Sequence, residues 1–239
     1  MTFPAEDPHV KYHLDGIVRW SIVSVVFMLL IGLSLFLAAG TISWPAGWAY
    51  LVLAIVIQLL DAIVLIPRNP DLLGERSRPQ AGAEKWDQLL SRLMATIGPL
   101  FIWVTCGLDY RFGWTAVLPF RIVMFSAICV FAGGMLALWA MAANRYFVGM
   151  VCIQEERGHR VIKDGAYRYI RHPGNLGSLL FIFFTPWMLG SIWGLVPALL
   201  TCAVVILRTY LEDRFLVRHL PGYQDYAMQV TRRLIPSIW

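Results

Sequence analysis

The sequence predicts an all-α, polytopic transmembrane protein with about five to six membrane segments. Three observations predict it. Of 239 residues, 58% are hydrophobic, and the mean hydropathy is +0.62. Only 15% are charged, against roughly 25% in an average soluble domain. The charges are also missing from stretches as long as a membrane span.

No Asp, Glu, Lys or Arg lies between Trp20 and Leu60. A spanning helix needs roughly 20 apolar residues, so this stretch holds two. The sequence TISWPAGW breaks it, because Pro45 and Gly47 punctuate a helix and tryptophan suits the membrane interface. Ahead of it, Glu6, Asp7 and Asp15 precede Arg19, so no cleavable signal pattern is expected. After it, residues 68–92 form a mixed-charge loop broken by Pro70, Pro79 and Gly82. Its end, EKWDQLLSRL, has helical spacing with Trp86, Leu89, Leu90 and Leu93 apolar, and is expected to lie along the interface. It reads either as a plain connector or as the cover of a substrate entrance. Charge-free stretches follow at residues 93–108 and 122–144. The last, residues 173–207, reads as a helical hairpin turning near LGSIWG, with arms short enough to suggest tilt or incomplete crossing. Residues 1–142 are thus expected to form N-terminal transmembrane helices, and residues 143–239 a C-terminal region with a hairpin and a tail.

Lys and Arg placement sets the expected orientation. Five fall in residues 68–92, six in 145–171 and five in 208–233, while the turns near Thr41 and Leu189 carry none. The positive-inside rule then puts these three segments and both termini in the cytoplasm. The net charge of +5 reads as topology and attraction to anionic lipids. It does not read as nucleic-acid binding, since the cations are spread over loops that flank helices. The four cysteines are far apart and form no CxxC, which points away from metal or disulfide use toward buried unpaired thiols. Trp139, Trp187 and Trp193 are expected to serve the interface or packing. Asp61, beside Gln58 near the end of the second apolar run, fits either a buried polar role or an interfacial acid.

Polar chemistry gathers in the C-terminal region. GAYRYIRHPGNLGS, residues 165–178, sets arginines, a histidine and glycines against an apolar run. Asp164-Gly165 reads as a turn after a short extended piece. Proline lacks an amide donor and favours an extended residue before it, so His172 should end one element and Pro173 open a helix. Gly174 and Gly177 leave room for a ligand or for another helix. A helix start of this kind suits an anion or a cofactor. Near the end, Arg208 and Glu212 fall one helical turn apart, with Asp213 beside them.

GAYRYIRHPGNLG resembles the GxYxxxRHPxYxG signature of the isoprenylcysteine carboxyl methyltransferase and phospholipid methyltransferase superfamily. IQEERGHRVIKDG upstream resembles the segment that precedes the signature there. Residues 208–236, with an arginine, a pair of acids, GYxxY and RxIP, resemble that family's C-terminal region. The resemblance covers about residues 140–239. Two positions depart from the pattern: Asn175 stands where an aromatic is usual, and Asp213 where the second acid is usually glutamate.

The resemblance implies an integral-membrane methyltransferase that uses S-adenosyl-L-methionine in a cytoplasmic pocket formed by the C-terminal half. Consistently, no GxGxxG dinucleotide fingerprint follows an expected strand. It implies that Gln154, His159, Gly165, Tyr167, Arg171, His172 and Pro173 bind the cofactor and that Arg208, Glu212 and Asp213 are catalytic, with no metal. The implied partner is a lipophilic or lipidated substrate from the bilayer: an isoprenylcysteine-like carboxylate or a lipid head group. Two other readings stay open. Sterol-reductase-like membrane enzymes that use NADPH have a similar RHPxxxG region, and a non-enzymatic lipid-binding protein would leave the ordered polar motifs without a purpose.

Overall fold

The computed structural model describes residues 8–78 and 82–234. Ile235 and Pro236, which end the RxIP pattern, lie outside the described residues, as does Ala81. The described residues form nine α-helices: α1 (Pro8–Ala39), α2 (Pro45–Arg68), α3 (Pro70–Arg76), α4 (Lys85–Arg92), α5 (Gly98–Phe112), α6 (Phe120–Ala143), α7 (Pro173–Leu189), α8 (Leu195–His219) and α9 (Tyr223–Gln229). A π-helical turn, Leu93–Ile97, joins α4 to α5, and no strand occurs among the described residues.

Sequence punctuation sets these boundaries. Prolines occupy the first turns of α2, α3 and α7, where a missing amide hydrogen costs nothing. Gly113 and Gly190 end α5 and α7 in the left-handed region at φ +63° and +77°. His172 precedes α7 with φ −126° and Pro173 opens it, as the sequence predicts. The expected extended piece before Gly165 is irregular chain that runs into a 3-10 turn, Gly165–Arg168.

Among the described residues, five helical stretches are long and apolar enough to cross a membrane: Leu14–Ala39, Pro45–Arg68, Lys85–Phe112, Phe120–Ala143 and Leu195–His219. The protein is therefore an integral membrane protein. At 17 residues, α7 is about 25 Å long, short of the roughly 30 Å hydrocarbon core. It survives in a bundle because it is sheathed by neighbours, above all α6. A Cβ built at Gly177 would sit 2.5 Å from the Gly133 carbonyl oxygen, and one at Gly133 2.6 Å from that of Gly177. These glycines let two backbones touch, the usual small-residue contact between membrane helices. Gly174 likewise faces Phe147, so the room at both glycines of this helix start is taken by protein.

Outward-facing Leu29, Leu33, Ile63, Ile128 and Leu200 supply the lipid surface. Inside, Ile31, Leu35, Tyr50, Trp103, Ile182 and Val205 form one core cluster. Polar groups within it are paired: the Trp103 indole N–H donates to the Tyr50 hydroxyl at 3.1 Å. At the end of the bundle near Gly190, buried Asp109 accepts from Thr115 N (2.8 Å), Thr115 Oγ1 (2.6 Å) and Ser191 Oγ, tying two turns together.

Candidate functional site

α4 is amphipathic, but it is turned inside out relative to a soluble helix. Its buried residues are Asp87 and Ser91, one turn apart, while Leu89 is 59% exposed. The leucine face meets lipid and the polar face meets protein. This inversion carries Asp87, 0% exposed, to Arg208 on α8. Arg208 Nε donates to Asp87 Oδ1 at 2.7 Å and its NH2 group to Oδ2 at 3.3 Å. Val151 N (2.6 Å) and Ser91 Oγ (3.2 Å) also donate to Oδ2. The planar fork of an arginine matches two carboxylate oxygens in this way.

With that edge occupied, Arg208 NH1 points to Glu212 Oε2 at 3.4 Å, across one helical turn. Asn175 Nδ2 donates to the same oxygen at 3.2 Å and to Thr209 Oγ1 at 3.1 Å. An aromatic at position 175 could not do this, so the departure from the signature has a visible local consequence: it anchors Glu212.

Asp213 faces the other way. It is 2% exposed and gathers His172 Nε2 at 3.0 Å, Tyr223 Oη at 3.0 Å, Arg233 Nε at 2.8 Å and Arg171 NH2 at 3.3 Å. Burial, with Asp213 and Glu212 nearby, pushes the Tyr223 phenol well above its ordinary range, so it stays a donor. Against the Asp213 carboxylate, His172 Nε2 is the donor, and Nδ1 lies 3.9 Å from Glu212 Oε2. The tail is sewn on by backbone: Arg171 N donates to Arg232 O and His172 N to Arg233 O, at 2.9 and 3.0 Å. Tyr226 Oη adds a bond to Tyr167 O at 2.7 Å.

These groups border a cavity of about 460 Å³. His159, Tyr167, Arg171, His172, Asn175, Arg208 and Glu212 line its ionic end. Its other end lies between spanning helices, against Phe27, Met28, Ile31, Ala54, Ile57 and Trp103. Both sequence regions, before and after residue 142, contribute walls.

The remaining expected site residues stand outside the wall. Gln154 braces it: its N–H donates to His159 Nδ1 at 3.4 Å and its Nε2 to Tyr146 O at 2.9 Å. Burial, helped by Arg157, lowers the His159 pKa to about 4, so the ring is neutral and accepts. Gly165 turns the chain at φ +61° against Ala143 and Trp139. Pro173 opens α7, and Asp213 lies behind His172. Sequence reading missed Asp87. The signal was present as Asp87 and Ser91 at i and i+4, opposite the leucines of a helix entering the membrane. All four cysteines are free, and among the described residues no cluster of metal-ligating side chains occurs.

The fold and site define a polytopic helical membrane protein whose buried ionic cluster opens into an intramembrane apolar chamber. The phospholipid methyltransferase family matches residues 121–221, which include Arg171, His172, Arg208, Glu212 and Asp213. Two similar proteins, from Oryza sativa subsp. indica and subsp. japonica, each bear the name probable protein-S-isoprenylcysteine O-methyltransferase. Both are 30% identical over 95 residues, which is 39% of this chain. The match spans 50% of the length of each of these relatives. Over these stretches the chain is similar to the phospholipid methyltransferase family and to proteins named as isoprenylcysteine O-methyltransferases.

Proposed function

We propose that this protein transfers a methyl group from S-adenosylmethionine to a lipophilic acceptor drawn from the bilayer. The observation that carries the reading is a single cavity with two chemistries: buried ionic groups at one end, apolar helix faces at the other. The family match and the relatives' names support it.

The residues present fit that cofactor, which presents a carboxylate, an ammonium and an adenosine. Arg171 lines the cavity, and its buried Nε has no hydrogen-bond partner among the described residues. An under-satisfied buried guanidinium suits a carboxylate. Glu212 suits an ammonium. Tyr167 and His159 offer ring faces and hydrogen-bonding edges on the same wall. When bound, the cofactor supplies an electrophilic methyl group on a positively charged sulfur.

The protein's own contribution is alignment and exclusion of water. The apolar chamber holds a hydrophobic tail and leaves the acceptor's polar group at the ionic end. A carboxylate acceptor is nucleophilic as it stands, and Arg208 NH1 would orient it. An amine acceptor must lose a proton, and the free Nδ1 of His172 can take it, with Asp213 holding the ring through Nε2.

The test is calorimetric titration of the detergent-purified protein with S-adenosylmethionine and with NADPH. S-adenosylmethionine should bind, and Arg171→Gln should weaken it by about tenfold to a hundredfold, the worth of a charged hydrogen bond. Binding of NADPH in its place would sink the proposal. Transfer of labelled methyl groups into a lipid extract then identifies the acceptor.

A further inference from the structure

One wall of the apolar chamber contains charge that neither the site nor the packing uses. Ala54, Ile57, Gln58 and Asp61 of α2 line the cavity at i, i+3, i+4 and i+7, a single helix face. Ile57 packs on Gly134 of α6, where a Cβ would come within 2.9 Å of it, which fixes how this face is presented. The stripe turns from apolar to polar as it nears the ionic end. Asp61 lies seven residues before Arg68, roughly 10 Å inside the end of α2.

Asp61 has no ion-pair partner among the described residues. Its Oδ1 is buried with no hydrogen-bond partner among the described residues. Arg76 lines the same cavity and lies in its electrostatic reach, but Arg76 NH1 donates to Phe147 O at 3.3 Å, and the two form no ion pair. Gln58, one turn deeper, donates through Nε2 to Ser24 Oγ of α1 at 2.8 Å, which holds it on the same wall. An acid inside a spanning helix is costly and marks function when it faces a cavity. A carboxylate accepts hydrogen bonds and donates none. What relieves Asp61 is therefore a donor that arrives with the ligand.

We propose that Asp61, flanked by Gln58, is a recognition site for a hydrogen-bond-donating group, an ammonium or a hydroxyl, on an amphiphile whose chain occupies the apolar chamber. The site discriminates against an amphiphile that ends in a carboxylate, which Asp61 repels. This rests on the methyltransferase reading in taking the chamber as the acceptor's binding place, and it deepens that reading by naming the acceptor's chemistry.

The experiment measures binding of hexadecylamine, hexadecanol and hexadecanoate to the full chain in one detergent at pH 8. The variants are Asp61→Asn and Asp61→Glu, and S-adenosylmethionine affinity is read in the same samples. Wild type should bind hexadecylamine at least about tenfold more tightly than hexadecanoate, the scale of one charge-assisted bond. Asp61→Asn should remove most of that preference, and Asp61→Glu should keep it. Hexadecanol that binds like the amine assigns the donor as hydroxyl; binding like the acid assigns it as ammonium. An unchanged preference in Asp61→Asn, or equal affinities for amine and acid in wild type, overturns the proposal. Should Asp61→Asn fail to fold, the wild-type order and Asp61→Glu decide. Loss of S-adenosylmethionine binding by wild type overturns the methyltransferase reading instead, so the two failures are distinct.

Discussion

Replacing Asp87 with Asn isolates what the α4–α8 ion pair does. The pair is fully sequestered: Asp87 is 0% and Arg208 5% exposed. Asparagine keeps the volume and one oxygen. If that oxygen stays on Arg208 Nε, the new NH2 group faces Arg208 NH2 and the Val151 N–H, both donors. The Val151 N–H loses its acceptor, at about 1–3 kcal/mol for a buried group, and Arg208 NH2 keeps only the Gly149 carbonyl. Breaking a buried pair costs about 3–5 kcal/mol. Glu212 and the Gly149 carbonyl still touch Arg208 at 3.4 and 3.3 Å, which puts the expectation near the lower bound. We expect a loss of about 3 kcal/mol, roughly two orders of magnitude in the folding equilibrium. The assay is equilibrium unfolding in mixed micelles followed by tryptophan fluorescence, with exposed Glu156→Gln as the reference change. The double variant Asp87→Leu with Arg208→Met should recover part of the loss, because two apolar side chains leave no stranded charge. A single variant within about 0.5 kcal/mol of wild type, or a double variant as unstable as the sum of its parts, refutes the reasoning.

Other outcomes follow from the same geometry. His159 titrates near 4 in the folded chain and near 6.5 when unfolded, so the unfolded state takes up the extra proton between those values. Stability should therefore fall as pH drops from about 6.5 to about 4, and His159→Gln should flatten that slope in unfolding curves at pH 7.5, 5.5 and 4.5. Equal slopes in the two proteins would remove His159 as the cause. Gly177→Ala puts a methyl 2.5 Å from the Gly133 carbonyl and should cost about 1–3 kcal/mol, whereas Gly149→Ala meets nothing within 4 Å and should be close to neutral by the same unfolding assay. For orientation, single cysteines at exposed Ala116 and Lys163 in a cysteine-free background should react with membrane-impermeant maleimide from opposite sides, Lys163 from the cytoplasm. Labelling of Lys163→Cys only from outside would reverse the topology.

The sequence by itself determined the helical membrane architecture. Spans, proline starts and glycine ends depend on residues within a few positions of one another: Pro173 opens α7 and Gly190 closes it whatever packs around them. It also pointed to the ionic cluster, because Arg208 and Glu212 meet through helix period alone, and the signature marked His172. Tertiary structure decided how those groups divide their work. Asp213 and Glu212 are adjacent in sequence and alike in charge, yet successive helix positions point about 100° apart, one behind His172 and the other into the cavity. Only the docking of α4 on α8 gives Arg208 its principal partner, 121 residues away. Only the meeting of α6 and α7 converts Gly177 into a helix contact. Such facts depend on long-range registry, which local sequence pattern does not encode. The burial of a polar face on α4 shows why: in a membrane, lipid takes the apolar side, so amphipathicity alone does not say which face is inside.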